Sequence, residues 1–277
     1  MFSTVSYKNS DALTKVRIWM YSLAYLHLSV VGIIMFSIDF RKAESPKVWI
    51  YQDIRFKLIT CWFNLLSLVY LPMSVYCEFR KLRSQEKLHH VRILNRIRCL
   101  CFTSILLPTT TFSDVLFWIL WNKDRELIAP VEVDEMAAFW TQHSMHTVSL
   151  VVVTLDLLLC PRRRPKDHTL GLTIMFVFLG AYISVSVHAL LQGQYLYPIL
   201  KLFSRFKLFL LVLYVLLGHY FIYTIQWFVI DIVWGGDRVQ NNKRNYNISS
   251  YISSCELAVY KYMPIFRLTK SAASVAD

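Results

Sequence analysis

Leu170-Gly-Leu-Thr-Ile-Met-Phe-Val-Phe-Leu-Gly-Ala-Tyr-Ile-Ser-Val-Ser-Val-His-Ala-Leu-Leu191 contains no Asp, Glu, Lys or Arg. As a helix rising 1.5 Å per residue, such a run spans roughly 30 Å of hydrocarbon. Five more blocks of similar length lie near 17–38, 56–77, 98–121, 139–160 and 206–234. The sequence therefore predicts an all-α polytopic membrane bundle of about six transmembrane helices. The second block is weakened by Phe56-Lys57, and the last is long enough to tilt or to overrun the interface. Composition agrees: the 277 residues are 56% hydrophobic and only 17% charged, whereas soluble domains are about a quarter charged. Eight Trp and sixteen Tyr suit aromatic belts at the two membrane surfaces.

The charge that remains is patterned. Net charge is +12, a value that by itself suggests nucleic acid. But the N-terminus, the 78–98 and 161–168 connections and the C-terminal tail hold about 20 of the Lys and Arg, and the alternate connections (39–55, 122–138, 192–207) about 9. That alternation is the positive-inside pattern. It predicts both termini in the cytosol, basic loops such as Arg80-Lys-Leu-Arg83 and Arg162-Arg-Arg164 facing anionic lipid headgroups, and no nucleic-acid partner. The first ten residues are polar and no small-residue cleavage site follows, so the first span is expected to stay as an anchor. Cys77, Cys99, Cys101 and Cys160 fall at predicted cytosolic helix ends, Cys255 in the tail and Cys61 near the outer side. Disulfides are not expected there. Unpaired structural cysteine is favoured over palmitoylation of the juxtamembrane set.

A single membrane domain is expected over 1–234, followed by a polar, basic and largely disordered tail over 235–277. The 78–98 connection reads as a short amphipathic helix or a solvated basic hairpin, and Pro161 and Pro165 bracket a tight basic turn. The sequon Asn247-Ile-Ser249 falls on the predicted cytosolic side.

Polar groups at membrane depth are costly and usually mark a site. Trp140-Thr-Gln-His-Ser-Met-His-Thr147 opens the fourth block. Counted from Phe139, His146 lies roughly 10 Å inside the outer surface; counted from Phe56, Thr60 lies roughly 6 Å inside the same leaflet. The two could face each other across a cavity. A threonine hydroxyl beside a neutral imidazole is the minimal nucleophile–base pair, and its position in lipid favours a bilayer-dissolved ester as substrate. His143 lies one turn above His146, and Lys123-Asp-Arg-Glu126 gathers charge at the cavity mouth. Other readings stand beside this one. Intramembrane Thr and His most often serve helix packing. Two histidines could ligate a metal, but no third ligand lies at a fitting spacing. His27, His188 and His219 lie in other spans, and no pair is singled out for a haem. Asp114 could face the bundle interior and serve an ion path; Asp156, near the cytosolic end, is expected to reach water.

Four stretches also resemble one family. Phe117-Trp-Ile-Leu-Trp-Asn-Lys-Asp-Arg-Glu-Leu-Ile-Ala-Pro130 is similar to its FWI…(D/N)R(E/D)xIYP signature, and Trp140–Thr147 to WLNHxMHT. Gly171-Leu-Thr173 and Gly193-Gln-Tyr-Leu-Tyr-Pro198 resemble its GLT and GxxxYP marks. This is the androgen-induced gene 1 / androgen-dependent tissue-factor-pathway-inhibitor-regulating protein family. The resemblance covers about residues 50 to 200. It implies a multi-pass membrane threonine hydrolase acting on fatty acid esters of hydroxy fatty acids, in the endoplasmic reticulum or the plasma membrane, with no cofactor. The family's catalytic histidine matches His146. Its nucleophile, the Thr of a (W/F)K-x-x-T run, matches Thr60 in Phe56-Lys-Leu-Ile-Thr60.

The chain departs from the pattern in places. The family's Asn or Asp follows the nucleophile by three residues, whereas Asn64 follows Thr60 by four. An alignment anchored on Asn64 puts Cys61 in the nucleophile position; one that keeps Lys57 in place selects Thr60. Ala129 stands where the family has Tyr. On the favoured reading, Thr60 attacks an ester carbonyl with His146 as general base, and His143 orients His146 or donates to the oxyanion. Asp124, Arg125 and Glu126 shape the mouth or hold a fatty-acid carboxylate. The rival reading is a non-catalytic membrane protein that binds or regulates lipid in the same cavity.

Overall fold

In the computed structural model, residues 10–235 are described, and all regular structure among them is helical. The expectations for the tail, the Asn247 sequon and Cys255 fall outside these residues. Helix α1 (Ser10–Ser37) is followed by the short α2 (Pro46–Ile54), α3 (Ile59–Leu82) and α4 (His89–Cys101). A π-helical turn, Phe102–Leu106, joins α4 to α5 (Leu107–Lys123). Then come α6 (Phe139–His146), α7 (Val148–Leu159), α8 (Thr169–Leu191) and α9 (Arg205–Trp234).

Five helical stretches are long and apolar enough to cross a membrane: Asp11–Ser37, Ile59–Leu82, His89–Lys123, Thr169–Leu191 and Arg205–Trp234. The expected fourth span is present but divided. Thr147 separates α6 from α7, each too short to cross alone. Hydrogen bonds from Thr147 N to His143 O (2.8 Å) and from Val151 N to Thr147 O (3.0 Å) carry the helix through the division. The exterior of α9 is apolar, with Phe206, Phe209, Leu217, Phe221, Phe228 and Ile232 all exposed. A surface of that kind suits lipid and not water. The chain is an integral-membrane protein.

The 78–98 connection holds the start of a short amphipathic helix, α4, as one of the two expectations had it. α3 runs on to Leu82 and α4 starts at His89, so only a tight reversal remains. It turns at Ser84, whose φ of 57° lies in the left-handed region. The basic ends also turn inward. Arg17 Nε donates to Glu78 Oε2 (2.9 Å), and Arg98 donates to the other oxygen of the same carboxylate (3.0 Å). Arg162 pairs with Asp156 (2.6 Å), whose second oxygen accepts from the Tyr70 hydroxyl. Asp156 is therefore buried and paired instead of open to water, and Arg162 is buried with it instead of facing headgroups. A charge in this position needs its partner, since an unpaired one costs several kcal/mol. These pairs tie α1, α3, α4 and α7 together at one end of the bundle. Cys61, Cys77, Cys99, Cys101 and Cys160 are all free thiols.

α1 lies along α3, while α5 packs on α7 and α9. Gly218 on α9 allows that approach: a Cβ there would strike the Phe112 ring of α5. The π turn has a local cause. Pro108 has no N–H, so the wider turn leaves Thr103 O without its backbone donor. Gln226 of α9 supplies one through its side-chain amide, at 2.8 Å and fully buried. At the opposite end, the 39–55 and 122–138 connections are not open loops. Phe40, Ala43, Val48, Ala129, Val133 and Ala137 form a second small core there, built from α2 and short 3₁₀ turns. It caps the bundle above the N-terminus of α3.

Replacing Gln226 with Leu should strand the Thr103 carbonyl and destabilise the fold by about 1–3 kcal/mol. The thermal midpoint in detergent reads this directly. Thr224→Ala, one side of an exposed hydroxyl bond to Tyr220 O, should leave the midpoint nearly unchanged.

Candidate active site

Thr60 enters the structure at the second position of α3, where the chain arrives through a 3₁₀ turn at Arg55–Lys57. Two side chains fix that entry. Trp62 Nε1 donates back to Phe56 O (3.0 Å), and Lys57 Nζ donates to Gln194 Oε1 (2.5 Å), tying the turn to the 193–198 segment. Deeper in the helices, hydroxyls are consumed by the carbonyl four residues back, as at Ser67, Thr103, Thr154 and Ser184. For Thr60 the residue four back is Phe56, which lies in the 3₁₀ turn before α3 and whose carbonyl accepts from Trp62 Nε1.

His146 ends α6 and is buried, 5% exposed. Its ring lies flat on Phe117 of α5, with centroids 3.6 Å apart and planes 8° apart. Its Nδ1 lies 2.8 Å from Asp114 Oδ1, also on α5. The other carboxylate oxygen of Asp114 lies 2.6 Å from the Ser149 hydroxyl. With Asp114 ionised and the imidazole neutral, Nδ1 carries the hydrogen and Nε2 keeps its lone pair. The stack and the Asp114 bond together fix the orientation and tautomer of the imidazole.

Thr60, Cys61, Asn64 and His146 all line one cavity of about 160 Å³. Its other walls are mostly apolar: Leu28, Val31 and Met35 of α1, Leu65 and Leu68 of α3, and Ile128, Ala129 and Val133 of the cap. Four further polar side chains reach it: Tyr51, Arg55, Gln142 and Tyr197. A neighbouring cavity of about 30 Å³, lined in part by Ser67, Thr110, Ser144 and Ser149, shares Leu28 and Asn64 with it.

Other expected site residues stand apart from this cavity. His143 is exposed, held between Trp118 and Phe139, with Nδ1 3.1 Å from the Thr147 hydroxyl. One turn of separation on α6 therefore sends the two histidines to different surroundings. Asp124 caps its own 3₁₀ turn by accepting from Glu126 N (3.0 Å), and Glu126 is exposed. Arg125 grips both oxygens of Asp134 and lies over the Trp121 ring, 4.3 Å from its centroid. The 124–126 group braces the cap, while the neighbouring Ile128 and Ala129 line the cavity. Ala129, where the family has a larger side chain, is buried against that space. Among the described residues, no three His, Cys, Asp or Glu side chains gather as a metal site.

Asp114, Gln142 and Tyr197 were not paired with the site by sequence. For Asp114 the signal was present. It lies about seven residues inside the end of the third block, as His146 does in the fourth, which puts both at roughly 10 Å depth. Tyr197 sits within the GxxxYP mark. Burial holds its phenol well above the ordinary range, so it stays protonated and able to donate.

A polytopic helical membrane protein, with a cavity that joins a hydroxyl to an Asp-oriented histidine, is the class this fold and site define. The chain belongs to the FAR-17a/AIG1-like protein family, whose profile matches residues 14–229. It is 29% identical to human androgen-dependent TFPI-regulating protein over 204 residues, which is 72% of this chain and 86% of that protein. It is 32% identical to the mouse protein of the same name over 110 residues, 39% of this chain and 47% of that one. With human androgen-induced gene 1 protein the identity is 28% over 170 residues, 59% and 70% of the two chains. No solved structure matches. The membership is consistent with a membrane hydrolase.

The cavity lining makes Cys61 more approachable than Cys77 or Cys160, both of which are buried. A membrane-permeant maleimide should therefore label Cys61 well before Cys77 or Cys160, as read by peptide mass spectrometry. Equal or reversed labelling would contradict an open cavity at the start of α3.

Proposed function

We propose that this protein is a membrane-embedded carboxylic ester hydrolase that cleaves fatty acid esters of hydroxy fatty acids, with Thr60 as nucleophile and His146 as general base. The observation that carries the reading is that both residues line one apolar cavity, with His146 held from behind by Asp114. Threonine is a weak nucleophile at its own pKa and needs a base within reach. A hydroxyl at the start of α3 and an imidazole with Nε2 unengaged by Asp114, both on the wall of one cavity, are the groups such a step uses. The family resemblance assigns the same two residues.

The reaction runs in two halves. Thr60 Oγ1 attacks the ester carbonyl while His146 Nε2 takes its proton. The tetrahedral intermediate collapses as the alkoxide leaves with that proton, giving the hydroxy fatty acid and an acylated Thr60. Water then attacks the acyl carbon, His146 takes its proton, and Thr60 recovers it as the fatty acid departs. Asp114 stabilises the imidazolium formed in each half without accepting its proton. Asn64 and Gln142 are the polar donors on the cavity wall suited to the oxyanion, whereas the Tyr197 phenol is engaged with Tyr182 and His143 stands outside the cavity lining. The smaller cavity beside Asn64 has about the room that one water needs, with polar groups to hold it, which supports a supply for the second half. A cavity of about 150 Å³ takes a group the size of benzene. The main cavity thus suits the ester and its nearest carbons, with the acyl chains running out between helices into the bilayer.

Membranes containing each variant should be assayed for release of fatty acid from a branched ester. Thr60→Ala and His146→Ala should abolish hydrolysis, and Cys61→Ala should retain it. Full activity in either of the first two would overturn the assignment; loss in Cys61→Ala alone would move the nucleophile by one residue. Asp114→Asn should keep the fold and lower kcat by about 10²–10⁴-fold, because an amide can hold the imidazole in the wrong tautomer.

A further inference from the structure

Arg55 is the one lining residue of the cavity with a full positive charge. Most other buried or half-buried arginines in the described structure have a carboxylate. Arg17 and Arg98 share Glu78, Arg162 has Asp156 and Arg125 has Asp134. Even the more exposed Arg41 and Arg164 reach Asp53 and Asp231. No carboxylate among the described residues lies within ion-pair distance of Arg55.

The group is nonetheless held in place. Its Nη1 donates to Phe36 O (3.3 Å) and Ile38 O (3.0 Å) at the end of α1, and the guanidinium lies 5.4 Å from the centre of the Phe56 ring. Those bonds use the two hydrogens of Nη1. Nε is buried with no hydrogen-bond partner. The edge formed by Nε and Nη2 is one of the two on which a guanidinium takes a carboxylate through parallel bonds. Capping α1 accounts for the Nη1 bonds. It does not account for a cation without an ion pair on the wall of a cavity built largely from apolar residues such as Leu28, Val31, Met35, Leu65 and Leu68. Arg55 is half-buried and its Nε has no partner, and a ligand that brings a carboxylate to that edge satisfies it. Arg125, which sequence alone offered for this task, is taken by Asp134.

We propose that Arg55 is the anion seat of the cavity, the residue that holds the free carboxylate of the substrate while its ester lies at Thr60 and His146. This rests on the hydrolase reading for the position of the ester, but the seat itself can be tested by binding. It assigns Arg55 to substrate selection: the acid end is anchored near the cap, and the acyl chains lie along the apolar wall.

Two probe pairs separate the possibilities in the full-length protein. The first is a branched fatty acid ester with a free carboxyl group and its methyl-capped counterpart, read by kcat/KM. The second is the matching pair of non-hydrolysable ether analogues, read by binding to the detergent-solubilised protein. The free acid should be favoured by about tenfold or more in both, the size of a charge-assisted hydrogen bond. Arg55→Gln should remove that preference by lowering only the free-acid values, and Arg55→Lys, which keeps the charge, should retain part of it. The methyl-capped compounds should behave alike in wild type and both variants. Equal use of the two ethers by wild type, or an equal loss of both compounds in Arg55→Gln with a lowered thermal midpoint, would overturn the seat and leave Arg55 as a helix cap. Preference for the free-acid ether without turnover of either ester would uphold the seat and overturn the hydrolase reading.

Discussion

Hydrocarbon offers no hydrogen bonds, so every polar group placed at membrane depth must find its partner within the protein. Much of this fold follows from that constraint. Gln226 serves the carbonyl that Pro108 cannot. Glu78 neutralises two arginines from different helices, and Asp156 is shared between Arg162 and Tyr70. Apart from the Arg162–Asp156 pair, each such contact crosses between helices, and it is these contacts, more than apolar packing, that can choose among arrangements that are equally greasy. Lipid tails are as apolar as leucine and do not favour one helix pairing over another.

The same constraint gives meaning to the groups left unsatisfied. At the end of the bundle where α3 begins, the Thr60 hydroxyl sits at the second position of the helix, before any full turn precedes it, and Arg55 makes no ion pair with a carboxylate among the described residues. Both open on one cavity, beside a histidine whose second nitrogen is directed by Asp114. Packing around His146 is correspondingly tight: Phe117 holds one face of the ring, and Ser149 holds the far oxygen of Asp114. Preorganisation of this kind lets a weak base act on a weak nucleophile, since no energy is spent in orienting either during reaction. Unmet polar groups within an otherwise satisfied membrane interior are where function is to be sought.

Much of the architecture was legible in the sequence because hydropathy and length report membrane spans directly. All-helical structure and the places of the spans could be read from runs such as 170–191. The division of the fourth span at Thr147 could not, since both halves are equally apolar and the irregularity is local. Side-chain pairing was the least legible. Asp156 was expected to meet water from its depth alone, but depth does not reveal that Arg162 folds back from the following turn to cover it. His143 and His146 are close in sequence and were read on one face, but the ring of His143 goes to Trp118 and Phe139. Asp114 shows the reverse case. Its depth equals that of His146, so the pairing could have been read by counting from the two helix ends at that surface. Arg55 gave no signal at all, because a missing counterion is visible only when every neighbour is placed.

The central claim is that one covalent centre forms at Thr60 and that His146 creates it. A fluorophosphonate that reacts with activated hydroxyls tests this without any choice of substrate. After labelling in native membranes, peptide mass spectrometry should find the adduct on Thr60, and His146→Ala should abolish it. An adduct on Cys61, labelling of Thr60 that persists without His146, or tight lipid binding with no adduct at all would contradict the account.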